Sequence, residues 1–155
     1  MADTVTTGYW MTIIRFIKTN PEAVIPSRAT EGSSGLDIHT LKDMVLGPME
    51  RIVVPTGLKI ALAPGYEAQV RPRSGLAARK GITVLNAPGT IDSDYRGNLG
   101  VILINLSTEH QVIQRFDRIA QLVVAPVSLA VETEEVRTFD EQTHRGEGGF
   151  GSTGY

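Results

Sequence analysis

Arg51-Ile52-Val53-Val54-Pro55-Thr56-Gly57-Leu58-Lys59-Ile60-Ala61-Leu62-Ala63-Pro64-Gly65-Tyr66-Glu67-Ala68-Gln69-Val70 is a succession of short apolar runs cut by Pro and Gly. Residues 51–54, 58–62 and 66–70 are rich in Val, Ile and Leu, and the punctuation between them predicts reversals at 54–57 and 63–66. The same texture extends outward, to residues 11–17 and 36–40 on one side and to 82–85, 99–105, 111–116, 119–125 and 128–136 on the other. Short runs recurring about every ten residues between turn residues indicate an all-β sandwich or barrel. One segment reads as a helix. Ser74 is placed as N-cap, residues 76–80 are good helix formers ending in Arg79-Lys80, and Gly81 stands where a C′ glycine belongs.

A chain of 155 residues, 41% hydrophobic and 21% charged, has the length of one domain and enough apolar side chains for a core. A net charge of −2 supplies no field for duplex DNA or anionic lipid. The absence of Cys removes disulfides, thiolate nucleophiles and Cys-based metal sites together. The apolar stretch 11–17 is interrupted by Thr12 and Arg15, so it reads neither as a signal peptide nor as a span, and a cytoplasmic protein is expected. The basic residues are skewed, with 11 Arg among 15. Arg presents a planar fork that matches phosphate bidentately, so clustered Arg in a chain of near-neutral charge suits a small polyanion rather than a long one.

Three segments carry chemistry. The first is Arg145-Gly146-Glu147-Gly148-Gly149-Phe150-Gly151-Ser152-Thr153-Gly154-Tyr155. Its glycines fit both a dinucleotide fingerprint and an imperfect P-loop, but too few residues follow for the helix either requires. What survives is backbone N–H groups open to phosphate, hydroxyls, the Arg145 charge, and Phe150 as a ring to stack on a base. A glycine tail with no fixed structure is the competing reading.

The second segment, Arg71-Pro72-Arg73-Ser74-Gly75, brings two guanidiniums, a hydroxyl and N–H groups to a helix start, for phosphate or as a plain cap. The third, Asn86-Ala87-Pro88-Gly89-Thr90-Ile91-Asp92-Ser93-Asp94-Tyr95-Arg96-Gly97, is longer and more polar than a hairpin needs and reads as a binding loop. One of Asp92 and Asp94 faces a site as general base while the other pairs with Arg96 or another Arg, or both are turn formers. His39, His110 and His144 lack ligand spacing. A triphosphate would bring Mg²⁺ with it, needing only a carboxylate or two nearby.

These segments resemble the homotrimeric dUTPases, whose five motifs occur here in order. They are Ser34-Gly35-Leu36-Asp37-Ile38, Pro72-Arg73-Ser74-Gly75-Leu76-Ala77, the Asn86 to Gly97 loop, Asp117-Arg118-Ile119-Ala120-Gln121-Leu122, and the tail from Arg145 to Gly154. The resemblance implies a distorted jelly-roll-like β-barrel with one short helix, in a trimer whose sites lie between subunits and whose C-terminal arm is exchanged. Residues 1–10 then form a tail, 11–142 the barrel domain, and 143–155 an arm closing over the site. It implies hydrolysis of dUTP to dUMP and pyrophosphate with Mg²⁺, which keeps uracil out of DNA and supplies dUMP for dTMP synthesis.

Carried over by position, Asp92 resembles the residue that activates water for attack on the α-phosphorus, and Tyr95 the platform under deoxyribose. Asn86 with Gly89, Thr90 and Ile91 would read uracil. Arg73, Ser74, Gly75 and Gln121 resemble phosphate contacts, and Asp37 the carboxylate that holds the metal through water. Phe150 would stack on the base, with Arg145, Gly151, Ser152 and Thr153 on the γ-phosphate. Two departures stand out. Phe116 occupies a position where the family usually has Gly, which predicts a turn of different shape, and Leu36 and Ile38 replace the usual aromatic and Leu. A dCTP deaminase shares the implied fold, but its reaction needs a general acid/base that the loop does not offer. A nucleotide-switched regulatory trimer is the reading from another class.

Overall fold

The computed structural model describes residues 14–139 and 142–149. The expected segment 1–10 and the site residues Phe150, Gly151, Ser152 and Thr153 lie outside them. The chain is mostly β with one short helix, as expected. In order the elements are β1 (Arg15–Lys18), β2 (Leu36–His39), β3 (Met44–Leu46), β4 (Arg51–Ala61), β5 (Tyr66–Arg71), α1 (Ser74–Lys80), β6 (Ile82–Val84), β7 (Gly89–Ile91), β8 (Asn98–Asn105), β9 (Gln111–Ile113) and β10 (Arg118–Pro126).

Antiparallel pairing gives one sheet of order β1-β4-β8-β6, a second of order β2-β10-β5-β7, and the two-stranded β3-β9. Alternation decides the inner faces. Val54, Leu58 and Ile60 of β4 and Leu99, Val101 and Leu103 of β8 point inward, meeting Ile38, Ala68, Val70 and Leu122 from the other sheet. Each fully buried Leu, Ile or Val contributes roughly 1.5–3 kcal/mol through lost water contact. The polar groups drawn into this core are satisfied. Thr56 Oγ1 donates to the Leu99 carbonyl at 2.7 Å, and Asn105 Nδ2 donates to the carbonyls of Leu46 at 2.9 Å and Glu109 at 2.8 Å.

Several sequence expectations need correction. Residues 54–57 do not reverse the chain, because β4 runs through them. Gly57, at φ 71, and the register shift between Pro55 and Lys59 make a bulge, where a Pro without N–H is tolerated. The released Gly57 carbonyl accepts from Thr19 and Asn20. Residues 128–136 form no strand, since none of the described residues pairs with them, and Leu129 and Val131 are left 67% and 68% exposed. The helix cap is Arg73, with Ser74 the first helical residue and no side-chain cap bond, whereas Gly81 fulfils its reading at φ 63 with its N–H bonded to Ala77. The long loop at 86–97 contains β7, which pairs Thr90 with Gln69 of β5.

Candidate functional site

The second sheet places the motif residues in two groups. At one end, cross-strand register sets Asp37 of β2 beside Gln121 of β10, and Gln121 beside Arg71 of β5. Arg73, carried past the end of β5 by Pro72, turns back so that its Nε lies 3.3 Å from Asp37 Oδ1 and its Nη1 donates to the Arg118 carbonyl at 3.2 Å. Arg118 Nη1 approaches Asp37 Oδ2 at 3.3 Å, and Gln121 Nε2 approaches Oδ1 at 3.5 Å. The Asp37 side chain is only 7% exposed, against 49% for Arg118. One buried carboxylate therefore aligns two guanidiniums and leaves one positive charge in excess at the surface, a setting suited to phosphate. Gly35 makes room for this arrangement, because a Cβ there would stand 3.0 Å from Gln121 Cβ.

His39, which the sequence reading did not assign, joins the cluster. Alternation along β2 puts it on the face of Asp37, and its Nδ1 is buried without a hydrogen-bond partner. Burial is the largest influence and pushes the imidazole below its ordinary pKa; Asp37 opposes this, and Arg118 and Arg73 reinforce it.

The turn leading into β10 is held from several directions. Phe116 N–H donates to the Thr40 carbonyl at 2.8 Å, Thr40 N–H donates to the Asp117 carbonyl at 3.0 Å, and the Asp117 carboxylate accepts from Gln114 N–H at 2.9 Å. Phe116 sits at φ 66, the left-handed region that glycine favours, so the shape suited to the family residue is kept despite the substitution. Its ring lies under the Arg115 guanidinium, 4.5 Å from the centroid, and Arg115 also pairs with Glu22. For a non-glycine residue this conformation costs about 1–2 kcal/mol. Phe116→Gly is therefore expected to be about 1 kcal/mol more stable than Phe116→Ala, a reversal of the usual order of these residues, visible as a midpoint difference of roughly 2–4 °C in thermal melts. An Ala variant equal to or above the Gly variant would show that the turn carries no such strain.

The other group surrounds a cavity of about 290 Å³ lined by Thr90, Ile91, Asp92, Tyr95, Asn98 and Leu99, with Gly100. β7 delivers Asp92 to its rim, and Tyr95 N–H closes a turn onto the Asp92 carbonyl at 3.1 Å. Arg96 does not pair with a carboxylate: its Nη1 donates to the carbonyls of Ser93 at 2.6 Å and Tyr95 at 2.7 Å. Among the described residues no ion pair involves Asp92 or Asp94, and Asp94 lines a separate cavity with Asp92 and Glu67. Asn86 approaches the same strand, since a Cβ on Gly89 would lie 3.1 Å from its Nδ2. Arg145 lies in a turn where its Nε donates to the Gly148 carbonyl at 2.8 Å.

Among the described residues no cluster of three or more His, Asp or Glu could cage a metal, and no helix is long and apolar enough to cross a membrane.

The dUTPase family model matches residues 21–154. The chain is 54% identical over 138 residues to a deoxyuridine 5'-triphosphate nucleotidohydrolase of a Hydrogenobaculum species, covering 88% of this chain and 94% of the relative. It is 55% identical over 141 residues to the protein of the same name from Wolinella succinogenes, covering 91% and 93%. Among solved structures it is similar to the dUTPase of Staphylococcus bacteriophage 80alpha in complex with dUPNHPP, with a TM-score of 0.82 at 27% identity over 92% of this chain and 99% of the phage chain. A family model spanning most of the chain, relatives above half identity and the shared fold lead to one conclusion: the chain belongs to the dUTPase family.

Proposed function

We propose that this protein is a dUTP diphosphatase, which hydrolyses dUTP to dUMP and pyrophosphate. The observation that carries the reading is the cavity that Asp92 and Tyr95 line together, with a carboxylate at its rim and an aromatic ring in its wall. Asp92 accepts a proton from water as the water oxygen forms a bond to the α-phosphorus. The bond from that phosphorus to the bridging oxygen breaks, and pyrophosphate leaves with the electron pair. Tyr95 lies under the deoxyribose, and Asn86 with the Gly89 to Ile91 backbone reads the uracil edge. Arg73, Ser74, Gly75 and Gln121 hold phosphate oxygens, assisted from the arm by Arg145 and by Gly151, Ser152 and Thr153, with Phe150 over the base.

The separation of the two groups supports a site shared between copies of the chain. Asp92 follows β7, which is two strands from β10, and lies level with Glu67 on β5, whereas Gln121 lies level with Arg71. At about 4.8 Å per strand and 3.3 Å per residue, the backbones of Asp92 and Gln121 stand about 16 Å apart. That separation supports a homotrimer with exchanged arms, in which one group comes from each of two subunits. Exposed Leu129, Val131 and Phe139 offer the apolar surface for such an assembly.

The donor set fits Mg²⁺ carried by the substrate rather than caged by protein, because among the described residues no group of three or more carboxylates or histidines is placed to hold a metal, and both oxygens of Asp37 already face cationic or amide donors. Asp37 would hold such a cation through water. When bound, Mg²⁺ neutralises triphosphate charge; the orientation of water and sugar is left to the side chains named above.

Pyrophosphate release assayed over dUTP, dTTP, dCTP and UTP in the presence of Mg²⁺ tests reaction, base and sugar together. Release confined to dUTP is expected. Ammonia from dCTP without pyrophosphate from dUTP would assign the fold to deamination instead.

A further inference from the structure

The Tyr95 ring owes its position to something other than its own backbone. Its hydroxyl donates to the Asn98 carbonyl at 2.9 Å, so the side chain folds back along the chain over Gly97. A Cβ placed on Gly97 would stand 2.3 Å from the Tyr95 hydroxyl oxygen, 2.4 Å from Cζ and 2.8 Å from Cε2. No real Cβ tolerates such contacts, and Gly97 is not among the glycines at positive φ. Conformational freedom is therefore not what this position demands. Space is: the hydroxyl end of the ring occupies the volume in which any other residue carries its side chain.

The surrounding turn leaves Gly97 little room to move aside. Arg96 braces it through Ser93 and Tyr95, and Leu99, two residues on, is 2% exposed in the core. The softer partner is the side chain of Tyr95, a residue that is 43% exposed and lines the cavity.

We infer that Gly97 is the positioning residue that sets where the Tyr95 ring stands, and through it the preference for deoxyribose over ribose. This rests on the reading of Tyr95 as the sugar platform. A methyl group at position 97 must drive the hydroxyl end of the ring by about 1 Å before ordinary contact is restored, and displacement on that scale costs on the order of 100-fold where fit to substrate decides the rate. The same shift breaks the bond to the Asn98 carbonyl. The ring then no longer meets the C2′ side of the sugar at the distance that admits hydrogen and rejects hydroxyl.

The experiment compares kcat/KM for dUTP and UTP, and the affinities for dUMP and UMP, in the wild type, Gly97→Ala, Tyr95→Ala and the double variant. Gly97→Ala is expected to lower the dUTP-to-UTP ratio by roughly tenfold or more, with a parallel fall in the dUMP-to-UMP affinity ratio. In the Tyr95→Ala background the added methyl meets no ring, so Gly97→Ala should change either ratio by less than about twofold there. A merely structural effect of the methyl would persist in that background and would overturn the inference. Gly97→Ala with unchanged ratios beside a collapsed ratio in Tyr95→Ala would overturn it while leaving the platform reading intact. Unchanged ratios in Tyr95→Ala would instead defeat the platform reading and the inference with it.

Discussion

Asp92→Asn is expected to lower kcat for dUTP by about 10²–10⁴-fold while leaving the affinity for dUTP within about threefold of the wild type, the range over which a positioned general base acts. Asn keeps the size and shape of Asp and can still orient a water, but it cannot take the proton that water must lose on attacking phosphorus. Ground-state binding is spared because the exchange removes a negative charge near a polyanion, and because the bond that shapes the turn uses the Asp92 backbone carbonyl. Rapid-quench kinetics for turnover, with calorimetry on a non-hydrolysable analogue for affinity, separate the two quantities. A kcat near the wild-type value would remove Asp92 from the role of base.

Ending the chain after Thr143 is expected to cost about 100-fold in kcat, the scale of losing one or more preorganised donors from a developing phosphate charge. The fold should survive, since the core is complete by Leu122 and the described residues beyond Thr143 bury no apolar side chain. Among the described residues, Arg145 donates only to the Gly148 carbonyl of its own turn. Thermal melts and sedimentation would confirm an unchanged body. Full-rate hydrolysis by the shortened protein would show that the arm contributes nothing to catalysis.

How much was legible in the sequence depended on the range of the interaction. Short apolar runs and the turn chemistry between them indicated the all-β class and most strand cores, because both act within a few residues. They failed at Pro55 and Gly57, where a bulge and a reversal use the same residues and only pairing with β8 distinguishes them. They failed again at residues 128–136, whose apolar content resembles a strand but which find no pairing strand among the described residues. Three-residue β7 was hidden in a loop by its Gly and Thr, residues that reveal strand character only once β5 lies alongside.

The candidate site divided in the same way. Asp92 and Tyr95 lie on one continuous segment and could be grouped by eye. The pairing of Asp37 with Arg73 and Arg118 depends on the β2–β10 register, and no local signal announces it. His39 could have been found, since alternation from Asp37 points to it; the missing clue was that the register sets Arg118 opposite it.

The turn around Phe116 shows that a conformation can be owned by its neighbours rather than by its occupant. Thr40 and Asp117 grip the backbone there as a mould grips a casting. Glycine is then the easiest occupant and not a required one, which frees the position to vary in side-chain chemistry while its backbone stays fixed. In this chain that freedom has placed an aromatic ring two residues from Arg118, at a point where sequence comparison alone would have counted a lost glycine as a lost shape.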